Sequence, residues 1–463
     1  MNINTRNAFY RQELSCFIER SFMHVDPASK FSSNWHIDLI ADRLTKAYNG
    51  KIKRLIINIP PRYLKSICVS VAWPAWILGN KPSARIMTAS YSQLLSTKHS
   101  IDCRNIIESP WYEEIFSDIK LASDQNEKNK FMTTERGFRF ATSVGGTATG
   151  EGGDFLIVDD PHNPLQAASD VQRQNAIEWF NQTFMSRLND KKKGVIVVVM
   201  QRLHADDLTG HLLDKAGNKW THICLPAIAP KAKKYYYFSG CYYRKEGELL
   251  HIKREGIEEI EMMKLNLGSN GFASQYQQCP IISEGAMVKR SWFARYKNLP
   301  KGEIMQSWDT AIKSGKENDY SVCTTWLQSD NAYYLVDCFA EKMEYPDLKR
   351  AILSHAQKYS PNTILIEDKA SGQSLIQDLR RETKLPIIAI NPKNDKMTRF
   401  ASVTPLMEAG KVMLPDKADW LIDYETELFG FPQVSHDDRV DSTSQFLSWA
   451  QSKRNISPRV RAV

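Results

Sequence analysis

The chain is predicted to be an α/β protein with two domains: a parallel sheet wrapped by helices, then a mixed sheet rich in carboxylates. Three observations predict this. Between residues 54 and 225, short apolar runs (55–59, 85–89, 155–158, 195–200 and 221–225) alternate with helical stretches. Continuous apolar strands divided by helices are what a parallel sheet covered on both faces requires. From residue 303, three β-rich segments follow one another, EIMQSWDTA, YSVCTTWLQ and AYYLVDCFA, and read as antiparallel strands. The stretch between them, 226–300, changes character: it is basic and tyrosine-rich, with a charged helix around 255–267.

The elements follow in order. Helical periodicity over 6–48 (Phe9, Leu14, Phe17, Ile18, then Ile37, Ile40, Leu44) predicts two helices before the first strand. The first antiparallel turn falls near Lys316, Glu317 and Asn318. A helix (346–358), a strand (363–367), a helix (372–382) and a strand (387–390) come next, and a last helix runs from 439 to 449. Residues 1–225 are then the first domain, 226–300 a linker subdomain, 301–450 the second domain and 451–463 a basic disordered tail.

At 463 residues there is chain enough for two or three cores. A hydrophobic content of 42% and a charged content of 25% are ordinary for a globular protein. The net charge of +8 favours a polyanionic partner such as nucleic acid. Eight scattered cysteines with no C-x-x-C pair argue against a zinc ribbon or a disulfide framework. No apolar leader or membrane-length run is visible, so a soluble, cytoplasmic protein with reduced thiols is expected.

The segment RLIINIPPRYLKSICVS, residues 54–70, carries the first chemistry. It is a buried strand, a turn ending in Lys65 and Ser66, and an apolar helix start, which is the layout of a phosphate-binding loop. In G-x-x-x-x-G-K-[ST] the two glycines would stand at Ile59 and Leu64. Lys65 would pair with the β- and γ-phosphates of ATP and Ser66 with Mg²⁺. Pro60 and Pro61 remove backbone donors, and Arg62 can compensate by gripping phosphate directly. FLIVDDP, 155–161, delivers two acids to a strand tip: Asp159 for the Mg²⁺ shell, Asp160 to orient or deprotonate the attacking water. VIVVVMQRLH ends in Gln201 and Arg202, suited to sensing the γ-phosphate. Each segment alone also fits a plain core strand with a polar exit. Three such tips in this order favour an ATPase.

The second half carries another set of acids at element ends. Asp309 lies in SWDTA, Glu367 ends ILIE, and Asp437, Asp438 and Asp441 sit in HDDRVDS at the start of the last helix. Asp438 and Asp441 are three apart and share a helical face. Strand alternation lets only one of Glu367 and Asp368 face a site, and Glu367 is preferred. These are the ingredients of a ribonuclease-H-like nuclease with two Mg²⁺ or Mn²⁺ ions held by hard oxygen ligands. A strand end or a helix cap would explain Asp309, Asp437 or Asp438 singly.

With these residues assembled, the chain resembles the large subunit of a tailed-phage or prophage terminase. PPRYLKS (60–66), SYSQ (90–93), SVGGTATGEGGDFLIVDDP (143–161), MQRLHADDLTGHLL (200–213), QYQQCPIISEG (275–285) and the second set of acids carry the resemblance over nearly the whole length. It implies an N-terminal P-loop ATPase of the ASCE, RecA-like type that translocates double-stranded DNA, and a C-terminal ribonuclease-H-like nuclease that cuts concatemeric genomes. Carried over by position, Lys65 and Ser66 bind nucleotide and Mg²⁺, Asp159 is the Walker B acid, and Asp160 takes the catalytic-carboxylate place. Asp309, Glu367 and one or two of Asp437, Asp438 and Asp441 become metal ligands, Asp438 with Asp441 being preferred. The pattern departs at Asp160, where glutamate is usual, and leaves the arginine finger open among Arg62, Arg139, Arg173, Arg187 and Arg202. Small-subunit and portal partners, a pentameric ring on the portal, and a place in the host cytoplasm and transiently on the procapsid are also implied. DNA phosphates would meet Lys191–Lys193, Lys231, Lys233, Lys234 and the tail, although a solvated run is the blander reading of Lys191–Lys193. Two alternatives stand beside this. A helicase–nuclease would need a second phosphate loop, which 226–463 does not show, and a degenerate prophage scaffold would explain the missing glycines.

Overall fold

The structure, a computed structural model, describes residues 3–147, 150–216, 219–238, 240–280, 287–310, 320–330, 332–368, 370–392, 394–434 and 436–456. It contains two compact units, Met1–Ile282 and Ser283–Val463. The predicted linker stretch 226–300 is therefore divided, its described residues to 280 falling in the first unit and those from 287 in the second.

The first unit is built on eight strands: β1 (Arg54–Asn58), β2 (Arg85–Ser90), β3 (Leu121–Asn126), β4 (Lys130–Thr133), β5 (Phe138–Ser143), β6 (Phe155–Asp159), β7 (Val195–Met200) and β8 (Thr221–Cys224). Their order in the sheet is β3-β4-β5-β2-β6-β7-β1-β8, parallel from β5 to β8. Alternate residues feed two cores: Leu55, Ile57, Val197 and Val199 one face, Ile56, Ile196, Val198 and Met200 the other. Each such side chain contributes about 1.5–3 kcal/mol on burial, so a polar residue within these strands would be costly. The five predicted strands are present. The antiparallel edge β3–β4 and strand β5 were not foreseen, because β3 is largely exposed and lacks an apolar run. Three helices precede β1, not two: Ile3–Gln12, Leu14–Val25 and Trp35–Tyr48. After β8, a two-stranded hairpin, β9 (Lys233–Tyr237) and β10 (Gly240–Arg244), leads to helix Ile257–Gln275.

The second unit is a seven-stranded sheet with order β11-β17-β14-β13-β12-β15-β16. Its strands are β11 (Ala294–Tyr296), β12 (Glu303–Asp309), β13 (Ser321–Ser329), β14 (Ala332–Glu341), β15 (Thr363–Glu367), β16 (Ile387–Ile390) and β17 (Val412–Pro415). β12–β13–β14 is the predicted antiparallel set, and β15 runs parallel beside β12. The predicted turn at Lys316–Asn318 lies outside the described residues. Helix Lys396–Glu408 was missed because Pro405 lies within it, although Asp395 caps its start by accepting from Thr398 N at 2.9 Å. The last helix, Asp438–Ile456, is longer than predicted, so 451–456 continue the helix; the rest of the predicted tail lies outside the described residues. Among the described residues no helix is long and apolar enough to cross a membrane.

Three histidines of the first unit, His36, His99 and His162, are held in low-dielectric surroundings. Burial lowers their pKa values from 6.5 to about 3, 4 and 4 respectively. Unfolding would let each take a proton, so their contribution to stability is complete above about pH 6.5 and is lost as pH falls toward about 4. Histidine-selective NMR is expected to find these three rings neutral at pH 5.5; rings already charged there would refute the assignment.

Candidate functional site

The loop after β1 lacks glycine, and its backbone records the consequence. Ile59, the first expected glycine position, needs no left-handed backbone and donates its N–H to Met200 O at 3.3 Å. Leu64, the second, adopts φ 64°, and Arg62 adopts φ 70°. Asp160 is also left-handed, at φ 46°. Three of the eight non-glycine residues with positive φ among the described residues therefore belong to this one site. Strain of this kind persists only where the surroundings over-determine it. Tyr63 supplies one restraint, buried between Arg62 and Leu64 with its hydroxyl donating to Glu255 Oε2 at 2.9 Å. The π-helical turn Ile67–Ala72 then starts the following helix.

Buried Lys65 places Nζ 2.9 Å from Asp160 Oδ2. Asp160 Oδ1 accepts from Gln201 N at 3.2 Å, which ties the tip of β6 to that of β7. Asp159 Oδ2 accepts from Ser70 Oγ at 2.7 Å. Burial raises the pKa of both acids, and Lys65 opposes the rise. Two acceptors here are buried with no hydrogen-bond partner: Asp159 Oδ1 and Gln201 Oε1. Orphaned acceptors beside a lysine and two acids fit a hydrated cation with phosphate oxygens. The structure thus brings Lys65, Ser66, Asp159, Asp160 and Gln201 together, with Arg62 exposed in the same loop.

The other arginines differ. Arg139 is fully buried and donates to Ser70 O at 3.0 Å. Buried Arg173 donates to Ala167 O at 2.7 Å. Arg202, read from sequence as a phosphate sensor, instead donates Nε to both oxygens of Asp207 at 2.9 Å and Nη2 to His204 O and Ala205 O. Arg62 is exposed and Arg187 half-buried. Sequence reading missed His99, whose neutral ring stands 3.6 Å from Asp159. It also gave SYSQ no local role, whereas Ser92 caps helix Gln93–Ile107 and Tyr91 N donates to Asp160 O at 3.0 Å.

In the second unit, β12 and β15 are parallel neighbours, so Asp309 and Glu367 end at the same edge. Gly372 lets the next helix pack against that tip: a Cβ there would lie 2.0 Å from Glu367 O. The last helix is fastened by a buried polar cluster. Ser307 and Ser442 exchange hydroxyl-to-carbonyl bonds, both at 2.8 Å, Thr324 Oγ1 meets Ser442 Oγ at 2.7 Å, and Gln445 donates to Trp308 O at 3.2 Å. This carries Asp438 and Asp441, both buried, to the acids. Burial raises the Asp309 pKa well above its ordinary value, and Asp441, Glu367 and Asp438 reinforce the rise.

Two cations from helix Lys396–Glu408 stand among these acids, and sequence reading missed both. Lys396 Nζ lies 2.5 Å from Asp437 Oδ1 and 2.8 Å from Asp441 Oδ2. Arg399 is 2.7 Å from Asp441 and 4.0 Å from Glu367. Among the described residues no group of three or more His, Cys, Asp or Glu is arranged to hold a metal. The acids gather around the chain's own cations instead. Four mutually repelling hard-oxygen groups nonetheless suit a divalent cation. The one signal for the two cations was their spacing, Lys396 and Arg399 being three apart and so on one helical face.

The fold and its two charged sites define a two-domain α/β protein with a phosphate-loop ATPase fold and a ribonuclease-H-like domain. Residues 306–449 match the family described as the terminase RNaseH-like domain. The large terminase of a thermophilic bacteriophage superposes with TM-score 0.56 at 11% identity, over 88% of this chain and 98% of that one. Its ADP and ATP-γ-S complexes give 0.53 and 0.54 at 11% and 10% identity over the same shares. No curated protein sequence matches. The second domain is therefore similar to the terminase RNaseH-like domain, and over 88% of its length the chain shares the fold of a large terminase.

Ser442→Val should orphan buried partners on β12 and β13 and cost about 1–3 kcal/mol. Urea unfolding followed through the second unit checks this, and a loss below about 0.5 kcal/mol would show the polar cluster to be dispensable.

Proposed function

We propose that the protein is an ATP-driven motor that moves double-stranded DNA into a procapsid and a metal-dependent endonuclease that cuts concatemeric DNA. The 2.9 Å pairing of Lys65, in the loop after β1, with Asp160, at the tip of β6, carries this reading. Each is the other's counter-ion. With Mg²⁺-ATP bound, Lys65 would pair with the β- and γ-phosphates and Arg62 would grip them from the exposed side of the loop. Asp160 would then be free to orient the attacking water and accept its proton, and Asp159 and Ser66 would hold the Mg²⁺ shell. Gln201, whose Oε1 is buried without a partner, would present its amide to the γ-phosphate, and its backbone bond to Asp160 would link the two responses.

In the second unit Asp309, Glu367, Asp438 and Asp441 would hold two Mg²⁺ or Mn²⁺ ions. Such ions supply an activated water and stabilise the leaving 3′-oxygen. Lys396 and Arg399 balance the acids' charge beforehand and must yield Asp441 when that charge is otherwise neutralised. The remaining expectations, a small-subunit partner, the portal and a pentameric ring acting in the host cytoplasm, follow from the resemblance to terminases.

Lys65→Ala is expected to lower kcat/KM for ATP at least about 100-fold, the scale of removing one positioned charge from a transition state. Equal hydrolysis by variant and wild type would leave only a binding scaffold. Asp309→Asn should abolish Mn²⁺-dependent plasmid nicking without changing ATP hydrolysis. Lys396→Met, which frees Asp437 and Asp441 of a competing charge, should tighten Mn²⁺ binding in an electron paramagnetic resonance titration. Unchanged or weaker Mn²⁺ binding would mean that Lys396 supports the site rather than competing for it.

A further inference from the structure

The β9–β10 hairpin has two faces of different kinds. Its inner face is bound to helix Trp35–Tyr48. Tyr242 stacks on Trp35 at 4.8 Å with the rings 7° apart, and Tyr235 packs on the same indole, also at 4.8 Å. Arg43 donates to Tyr236 O at 3.0 Å and Phe238 N donates to Asp42 Oδ1 at 2.8 Å. These contacts account for the hairpin's stability through its inner side chains and its backbone. The outer face is not accounted for. There Tyr243 pairs across the strands with Lys234 and Tyr236 with Cys241, and Tyr236 and Tyr243 remain 63% and 53% exposed. Large exposed aromatics side by side are uncommon without a partner.

Charge decides which partner. Residues 231–245 contain Lys231, Lys233, Lys234, Arg244 and Lys245 and no acid. Arg244 is buried and donates to Ala227 O at 2.9 Å and Glu248 O at 2.8 Å, but the lysines are exposed. The Lys191–Lys193 turn differs, because Asp190 accepts from the backbone N–H groups of Lys192 and Lys193 and puts a carboxylate among the lysines. Exposed lysines interleaved with phenol hydroxyls offer point charges and neutral donors to phosphate oxygens, with no base-edge selectivity. We infer that the outer face of the β9–β10 hairpin, Lys234, Tyr236 and Tyr243 with Lys231, is a sequence-independent contact for the phosphate backbone of duplex DNA. This rests on the motor reading above and locates one surface that grips the moving polymer.

Fluorescence anisotropy of the full chain with a mixed-sequence duplex, without nucleotide and over a salt series, tests it. Each lost phosphate contact flattens the slope of log K against log salt by about 0.9, so Lys231→Ala with Lys234→Ala should flatten it by about 1.8. Tyr236→Phe with Tyr243→Phe should weaken binding about equally for unrelated sequences while leaving the melting temperature and basal ATP hydrolysis unchanged. Replacing Lys191, Lys192 and Lys193 by Ala should leave the slope as it is. An unchanged slope in the Lys231/Lys234 variant overturns the inference, as does an equal flattening by the Lys191–Lys193 variant. A change in self-association alone, seen by sedimentation, would assign the face to a second copy of the chain and overturn it too. Because nucleotide is absent, failure here leaves the Lys65 result standing, and failure of Lys65→Ala to lower ATP hydrolysis leaves this measurement interpretable.

Discussion

The organisation of both units depends on one constraint: a strand covered on both faces can carry almost nothing polar between its ends. β1, β6 and β7 are buried along essentially their whole length, so their chemistry is confined to the residues where each strand leaves the sheet. Parallel direction then puts those exits on one edge. Lys65, Asp159, Asp160 and Gln201 meet for this reason, although they lie far apart in sequence. The same rule operates in the second unit, where parallel β12 and β15 bring Asp309 and Glu367 to a common edge.

Concentrating charge at a buried edge has a cost, and the two sites meet it differently. In the first, Lys65 neutralises Asp160, and Ser70 hydrogen-bonds Asp159, while the backbone accepts left-handed geometry at Arg62, Leu64 and Asp160. A glycine would relieve the strain at position 64, but Leu64 also packs against the apolar core, and Tyr63 fastens the loop to Glu255. In the second, like charges raise the pKa of Asp309, and Lys396 and Arg399 supply the compensation for Asp441. Neither compensation is adjacent in sequence to what it compensates.

That distance separates what could be read in advance from what could not. The apolar runs of β1, β2, β6, β7 and β8 were legible because burial on both faces leaves a continuous signal. β3 was not, because an exposed edge strand has no such run. The acids were legible because each follows an apolar strand or opens a helix. Helix Lys396–Glu408 was obscured by Pro405, and with it went the two cations that surround the acids. Arg202 was misjudged for a related reason: its position after β7 suits a phosphate sensor, but Asp207, only five residues on, captures it.

Sequence alone determined the fold class, the strand tips that bear charge and the identity of the charged residues, since these follow from local hydrophobic period and from which side chains can be ionised. Tertiary structure decided the pairings. It set Lys65 against Asp160, withdrew Arg139, Arg173 and Arg202 from exposure, put Lys396 and Arg399 among the carboxylates, and turned Tyr236 and Tyr243 outward. Pairing depends on through-space distance, and distance between remote segments is fixed only when the sheets assemble and exclude water from between them.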